Sequence, residues 1–265
     1  MTDGVGISIR QFTDAWRLMC TRAPGHTLAT ADGIEYVFSG LPVAFFNVAV
    51  LTSRALSAEA LSSQGRQACE WASATGVPWL LILTHEGLAD GVDAAAVLDG
   101  CGLAPMMPMT GMRAERVSPV VSLPAGLQLT EPRDEAGCSA VLDVNGLAYG
   151  MDLGGARSVV GRPAFWQGQF PVLGLAGETP ASCAAVLMVD GVRYVAMVAT
   201  DPDHQRRGYA DAAMRRALEL SARAHGEQPT VLHATDAGRP VYERMGYTAI
   251  STHTVFIEKR FLAGH

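Results

Sequence analysis

Apolar positions in this chain recur at two spacings, three-to-four and two, and the switches between them mark its elements. Helical spacing covers residues 9–21, where Phe12, Trp16, Leu18, Met19 and Cys20 are apolar, and Pro24 with Gly25 ends it. Residues 1–7 read as a frayed lead. Residues 33–39 alternate like a half-buried strand and 43–51 read as a buried one. Residues 57–75 return to helical spacing through Leu61, Ala68, Trp71 and Ala72 and stop at Gly76. A strongly apolar strand follows at 78–84, then a short helix at 94–100 and a strand at 104–112 weakened by Pro105 and Pro108. Ser118, Pro119, Ser122 and Pro124 make 117–126 a linker.

Past the linker the pattern begins again. A strand at 127–131 leads to a helix over 133–148, whose end is weakened by Asn145 and Gly146. A glycine patch (Gly150, Gly154, Gly155) and a short helix at 157–165 follow. Three strands come next, at 170–176, 182–189 and 192–199, the last two joined by the hairpin pair Asp190 and Gly191. A loop, a helix to His225, a strand at 229–234, a helix at 238–245 and a strand at 248–261 complete the chain.

The two halves echo each other. Gly76, Pro78 and Gly102 find counterparts in Gly226, Pro229 and Gly246, about 150 residues on, which is one domain's length. The pattern predicts a tandem α/β architecture, with one domain at 1–116, the linker at 117–126 and a second domain at 127–265.

The most informative stretch is 194–214. A β-branched strand ends at Asp201 and Pro202, a basic glycine loop follows, and an alanine-rich helix begins. On that helix Ala210, Ala213, Met214, Ala217, Leu218, Ser221 and Ala224 form one small-residue stripe, with Asp211, Arg215, Arg216, Glu219 and Arg223 opposite. A helix N-terminus presents unpaired N–H groups and partial positive charge. Gly208 permits close backbone approach, and Arg206 and Arg207 add cationic donors, so the loop is a candidate anion cradle.

Composition narrows the class. The 265 residues are 49% hydrophobic and 17% charged, enough for full cores. The net charge of −6 argues against a nucleic-acid partner. Five cysteines (20, 69, 101, 138, 183) form no C-x-x-C, which disfavours a disulfide framework and a metal cluster and leaves reduced thiols. The apolar run 41–51 is too short for a bilayer and is interrupted by Asn47. A soluble cytoplasmic protein is expected, with no metal and no membrane partner. Gly4 and Gly6 carry no nucleotide-binding context.

The stretch from Val198 to Ala210, with Gln205, Arg206, Arg207, Gly208, Tyr209 and Ala210 in the order Q/R-x-x-G-x-G/A, resembles the acyl-CoA-binding motif of the GNAT superfamily of N-acetyltransferases. Residues 238–247, a helix carrying Tyr242 and ending in Gly246 and Tyr247, are similar to that family's second signature. The resemblance covers 127–261 well and 1–116 in outline. It implies two GNAT-like domains, each a mixed, mostly antiparallel sheet flanked by helices, with acetyl-CoA as co-substrate.

The resemblance also implies roles. Val198, Ala199 and Thr200 would hold the pantetheine arm like an added strand, and a main-chain N–H near Val198 would stabilise the oxyanion. Arg206, Arg207, Gly208, Tyr209, Ala210 and Asp211 would bind the pyrophosphate, with Gln205 opening the motif. Tyr242 would protonate the departing thiolate, a task that suits a phenol whose free pKa of about 10 exceeds that of a thiol. Thr235 stands where many relatives have an asparagine, and its hydroxyl would contact the cofactor with fewer donors; the position where some carry a glutamate base falls at about Thr230, which leaves the base unassigned.

Other residues have competing readings. His233 and His204 are each a base near neutral pH or an ordinary packed and surface histidine. Trp166 and Phe165 are either an acceptor wall or core, and Asp201 and Glu178 read as turn and loop acids. The first half lacks both the glycine motif and the tyrosine, so it is expected to be a degenerate copy that binds no CoA. The expected activity is acetyl transfer from acetyl-CoA to a primary amine of a small molecule or peptide, by direct attack in a ternary complex. The competing class is a non-catalytic CoA-binding sensor or scaffold.

Overall fold

A computed structural model describes residues 4–118 and 122–264. Residues 119–121, inside the expected linker, lie outside the described residues, as do 1–3 at the start of the expected lead. The chain divides into two compact units. The first draws on Met1–Met112, Ala234–Arg239 and Ala249–His265, the second on Arg113–His233 and Pro240–Thr248.

In chain order the first half contains α1 (Gly4–Cys20), β1 (Thr27–Ala31), β2 (Ile34–Phe38), β3 (Asn47–Leu51), α2 (Ala58–Ser73), β4 (Leu80–Thr84), α3 (Ala94–Asp99) and β5 (Leu103–Ala114). The second half contains β6 (Leu127–Thr130), α4 (Glu135–Tyr149), α5 (Arg157–Val160), β7 (Phe170–Ala176), β8 (Thr179–Val189), β9 (Val192–Thr200), α6 (Tyr209–His225), β10 (Thr230–Ala234), α7 (Arg239–Arg244) and β11 (Thr248–Glu258).

The first unit orders its strands β1-β2-β3-β4-β11-β5. Chain-terminal β11 therefore completes the sheet of the first unit, antiparallel to β4 with His253 opposite Thr84. β3 and β4 run parallel, which the intervening α2 crossover permits. Tyr36, Phe38, Leu61, Trp79, Leu81, Leu98 and Phe256 fill the core beneath α2 and α3. α1 begins at Gly4, so residues 4–7 are helical rather than frayed, and buried Ile7 anchors that first turn. Its Phe12 and Trp16 rings stack with centroids 4.0 Å apart. Asn47, the polar break in the apolar run, is fully buried, and its amide donates to the carbonyls of Leu41, Val43 and Pro78 at 2.8–3.0 Å.

A second polar knot lies under β11. His253 Nδ1 lies 3.0 Å from Thr84 Oγ1 and its Nε2 lies 2.7 Å from Ser251 Oγ, which donates to Ser8 Oγ at 2.6 Å. Gly111 makes this possible, since a Cβ there would sit 2.1 Å from Ser251 Oγ and 2.2 Å from Ser8 Oγ.

The second unit orders its strands β10-β9-β8-β7-β6, antiparallel from β6 to β9 and parallel between β9 and β10. Asp134 caps α4, accepting the Gly137 N–H at 2.8 Å, and Gly150 ends that helix in a left-handed conformation. α5 is one turn, and a 3-10 turn at Pro163–Trp166 takes the remainder of the predicted 157–165 helix, with Pro163 preventing its continuation. β11 likewise ends at Glu258 and a 3-10 segment follows. The buried stripe of α6 is Tyr209, Ala212, Ala213, Met214, Ala217, Leu218 and Ser221, so Ala210 and Ala224 fall outside it.

Candidate functional site

The loop ahead of α6 is built around two left-handed residues, Arg206 (φ 63°) and Gly208 (φ 77°). Such alternation turns successive N–H groups toward one side, the geometry of an anion-binding concavity. Gly208 is the N-cap of α6, and it offers no side chain to satisfy the helix's first N–H groups. Residues 205–208 are exposed, whereas Tyr209 turns inward against Leu127, Ala181 and Ala212. Asp211, in the first turn, pairs with Arg215 at 2.9 Å and so does not oppose an incoming anion with a free charge. Asp201 is turn chemistry as expected, its carboxylate accepting the Asp203 N–H at 2.8 Å.

Upstream of the loop, β9 departs from its neighbours twice. Its parallel ladder with β10 consists of Arg193 opposite Thr230 and Tyr194 opposite Val231, after which the strands part although β9 runs on to Thr200. On the other edge, Ala196 pairs with Ala185 and Ala199 with Cys183, so Met197 and Val198 oppose Ala184 alone. This is a β-bulge, and Met197 carries its strain with φ at 53°. The Met197 carbonyl accepts the Asn145 amide at 3.0 Å and the Cys183 thiol at 3.2 Å, and the Val198 carbonyl accepts the Tyr149 hydroxyl at 3.0 Å. Val198, Ala199 and Thr200 therefore lie on the stretch of β9 that has left β10.

Tyr242 is buried on α7, its ring edge-on to Tyr247 with centroids 6.1 Å apart. Burial pushes its phenol well above the usual tyrosine range, with Tyr149 and Tyr247 adding to the shift. It therefore stays protonated at neutral pH, as a proton donor must. Thr235 belongs to the first unit's Ala234–Arg239 segment, where its carbonyl accepts the Arg239 N–H at 2.9 Å and starts α7.

The competing residues separate by their partners. His233 Nδ1 lies 2.9 Å from the hydroxyl of buried Tyr194, and His204 Nδ1 lies 3.4 Å from Asp201. Trp166 and Phe165 are both core, 4% exposed, and the Trp166 indole donates to the Val160 carbonyl. Glu178 is exposed in the β7–β8 turn. Thr230 is fully buried and bonded to Tyr247. A separate groove of about 850 Å³ borders α6 near Arg215, Arg216 and Arg223, but those arginines are paired with Asp211 and Glu219. Sequence reasoning missed Asn145 and Tyr149; the signal available was their i, i+4 spacing, which places both on one helix face.

Residues 172–262 match the model of the acetyltransferase (GNAT) domain. Among solved structures, a GCN5-related N-acetyltransferase from Kribbella flavida is 22% identical, with TM-score 0.69 and 96% of each chain covered. A tandem GNAT protein from the clavulanic acid biosynthesis pathway is 14% identical, with TM-score 0.53 over 95% of this chain and 94% of that one. A GCN5-related N-acetyltransferase from Sphaerobacter thermophilus is 12% identical, with TM-score 0.56 over 85% and 76%. No protein of curated function matches the chain.

Proposed function

From a chain of the GNAT superfamily with the tandem GNAT fold, we propose an N-acetyltransferase that moves an acetyl group from acetyl-CoA to a primary amine of a small molecule or peptide. The observation that carries this reading is the continuity of one strand, loop and helix. β9 leaves β10, bulges at Met197 and Val198, and feeds an uncapped helix N-terminus through Arg206 and Gly208. We place the active copy in residues 127–265 and assign 1–116 to a copy that binds no CoA. Five free cysteines, three of them buried, support a reducing, cytoplasmic setting.

In this reading Gln205, Arg206, Arg207, Gly208, Tyr209, Ala210 and Asp211 hold the pyrophosphate, chiefly by backbone N–H groups and the α6 dipole. Val198, Ala199 and Thr200 supply main-chain partners for the pantetheine arm along the parted edge of β9. Acetyl-CoA supplies an activated acyl group whose thiolate leaves readily. The amine nitrogen attacks the acyl carbon in a ternary complex, the C–S bond breaks, and Tyr242 gives its proton to the thiolate sulfur. The surplus proton of the amine restores the phenol through solvent.

Thermal denaturation with and without acetyl-CoA is the first test. Ligand at a hundredfold above Kd stabilises a binding protein by about 2.7 kcal/mol. Absence of any shift removes the assignment. A thiol-release assay over a panel of primary amines then separates an enzyme from a binding module.

A further inference from the structure

The bulge in β9 is held from one side by two residues of one helix face. Asn145, buried on α4, donates its amide to the Met197 carbonyl at 3.0 Å. Tyr149, one turn further on, donates its hydroxyl to the next carbonyl, that of Val198, at 3.0 Å. Two consecutive carbonyls are thus drawn to α4 at the point where Met197 takes a left-handed φ of 53°. Among the described residues no peptide bond is cis. In a trans peptide the N–H points opposite to the C=O of the same plane. Drawing the Met197 carbonyl to α4 therefore turns the Val198 N–H away from α4.

Non-glycine residues hold this conformation only where their surroundings enforce it, since a left-handed φ costs about 1–3 kcal/mol. Here the enforcement is specific. The Asn145 amide also donates to Cys183 Sγ at 3.0 Å, and the Cys183 thiol, fully buried beneath the bulge, is a second donor to the Met197 carbonyl. The helix interior is an unusual place for asparagine, which competes with the backbone for hydrogen bonds. That cost is intelligible if the side chain is needed across the gap to β9.

We propose that Asn145 and Tyr149 are positioning residues that fix the β9 bulge so that the Val198 N–H is preorganised to polarise the acetyl carbonyl. This rests on the acetyl-CoA reading above. Charge builds on that carbonyl oxygen as the amine adds, and a donor already in place needs no reorganisation then. The two residues touch neither acetyl group nor amine; they act through the backbone they hold.

The test is isotope-edited infrared spectroscopy of [1-13C]acetyl-CoA bound to the full chain, with Tyr149→Phe and Asn145→Asp as variants. Tyr149 is 43% exposed, so its phenylalanine variant keeps the ring and the fold; Asn145→Asp keeps the shape and removes the donor. In the wild type the thioester carbonyl band lies below that of free acetyl-CoA. In each variant that downshift is lost, and the preference for acetyl-CoA over CoA in calorimetry falls by about fivefold, as for one lost hydrogen bond, while CoA itself binds as before. A variant with a structural role alone would weaken CoA and acetyl-CoA together and leave the downshift in place. A wild-type band without downshift, or a downshift retained in both variants, overturns the proposal. If Asn145→Asp does not fold, Tyr149→Phe decides alone. Failure of the wild type to bind acetyl-CoA in the calorimeter is a different result: it removes the acetyltransferase reading, and this inference with it.

Discussion

The Thr230 hydroxyl and the Tyr247 phenol lie 2.9 Å apart, in a hydrogen bond closed to solvent on both sides. The Thr230 hydroxyl is thus taken up in packing. Tyr247 in turn sets its ring edge-on to Tyr242. The contact chain Thr230–Tyr247–Tyr242 therefore connects the start of β10 to the proposed proton donor.

That chain gives the first prediction. Tyr247→Phe leaves the Thr230 hydroxyl buried and unpaired, which costs about 1–3 kcal/mol. For a protein of this size the melting temperature falls by roughly 3–10 °C. Adding Thr230→Val replaces both partners by apolar groups of similar shape and recovers most of the loss. Scanning calorimetry of the single and double variants checks this, and a single variant as stable as wild type would remove the bond from the stability account.

Tyr242→Phe is expected to reduce turnover by about a hundredfold with the acetyl-CoA Kd changed less than twofold, the signature of a lost proton donor. Burial holds the phenol above its ordinary range, and in the proposed mechanism the protonated form is the one that acts. Its ionisation therefore takes no rate away at any pH below about 10. An alkaline limb below pH 9 that disappears in the phenylalanine variant would contradict this assignment.

Much of this architecture was legible from pattern. Asp190 and Gly191 announced the β8–β9 hairpin and adopt the left-handed pair it requires, φ 47° and 71°. The same signature stood at Asp32 and Gly33, but β1 beside it was missed. Its residues Thr27–Ala31 are mostly exposed, and the face it turns to the core carries only the small, half-buried Ala29 and Ala31. Gly4 and Gly6 hid the first turn of α1, since glycine is a poor helix former and only tertiary burial of Ile7 fixes it. Within the site, the glycine loop and Tyr242 carry chemistry in their residue types. The bulge does not: Met197 and Val198 are ordinary strand residues, and the left-handed Met197 between the ladder pairs is bonded by Asn145, 52 residues away in sequence. Asn145 itself, with Gly146, looked like a helix end, because the partner that justifies an asparagine inside α4 lies on another element.

Gly208 gives a graded test of the loop. Among the described residues a Cβ there would meet only Pro124 at 3.6 Å, an ordinary contact, so the constraint is the φ of 77°. Gly208→Val, which resists a left-handed φ, is expected to raise the acetyl-CoA Kd at least tenfold. Gly208→Asn, which tolerates it, is expected to raise the Kd less than threefold. Equal effects of the two in calorimetry would show that the left-handed backbone is not what binds.

The polar knot of the first unit predicts an acid-sensitive fold. Burial lowers the His253 pKa to about 4, with Glu86 opposing the shift and His85 adding to it. Unfolded, the imidazole titrates near 6.5, so below that pH the unfolded state binds the extra proton and stability falls as pH drops toward 4. Between pH 7.5 and pH 5 this contributes a loss of about 2 kcal/mol. Urea unfolding at the two pH values measures it, and His253→Gln should remove most of that difference; an equal pH loss in the variant would assign the sensitivity elsewhere.

The two crossover helices differ at the end that matters for an anion. α2 opens with Ser57, whose hydroxyl oxygen accepts the Ala60 N–H at 3.3 Å. Ser57 also donates to the Glu59 carboxylate at 2.9 Å. Glu59 lies in the first turn, and its own backbone N–H and Ser57 hold its carboxyl below the usual range. The N-terminus of α2 thus already carries its own anion. α6 opens with Gly208, has no side-chain cap, and follows Arg206 and Arg207. One anionic ligand per chain is the expected outcome: calorimetry with acetyl-CoA should return a stoichiometry of one, unchanged by Glu59→Gln and weakened by Gly208→Val. A stoichiometry of two would show that the first unit binds as well, and that a capped helix bearing its own carboxylate does not exclude the cofactor.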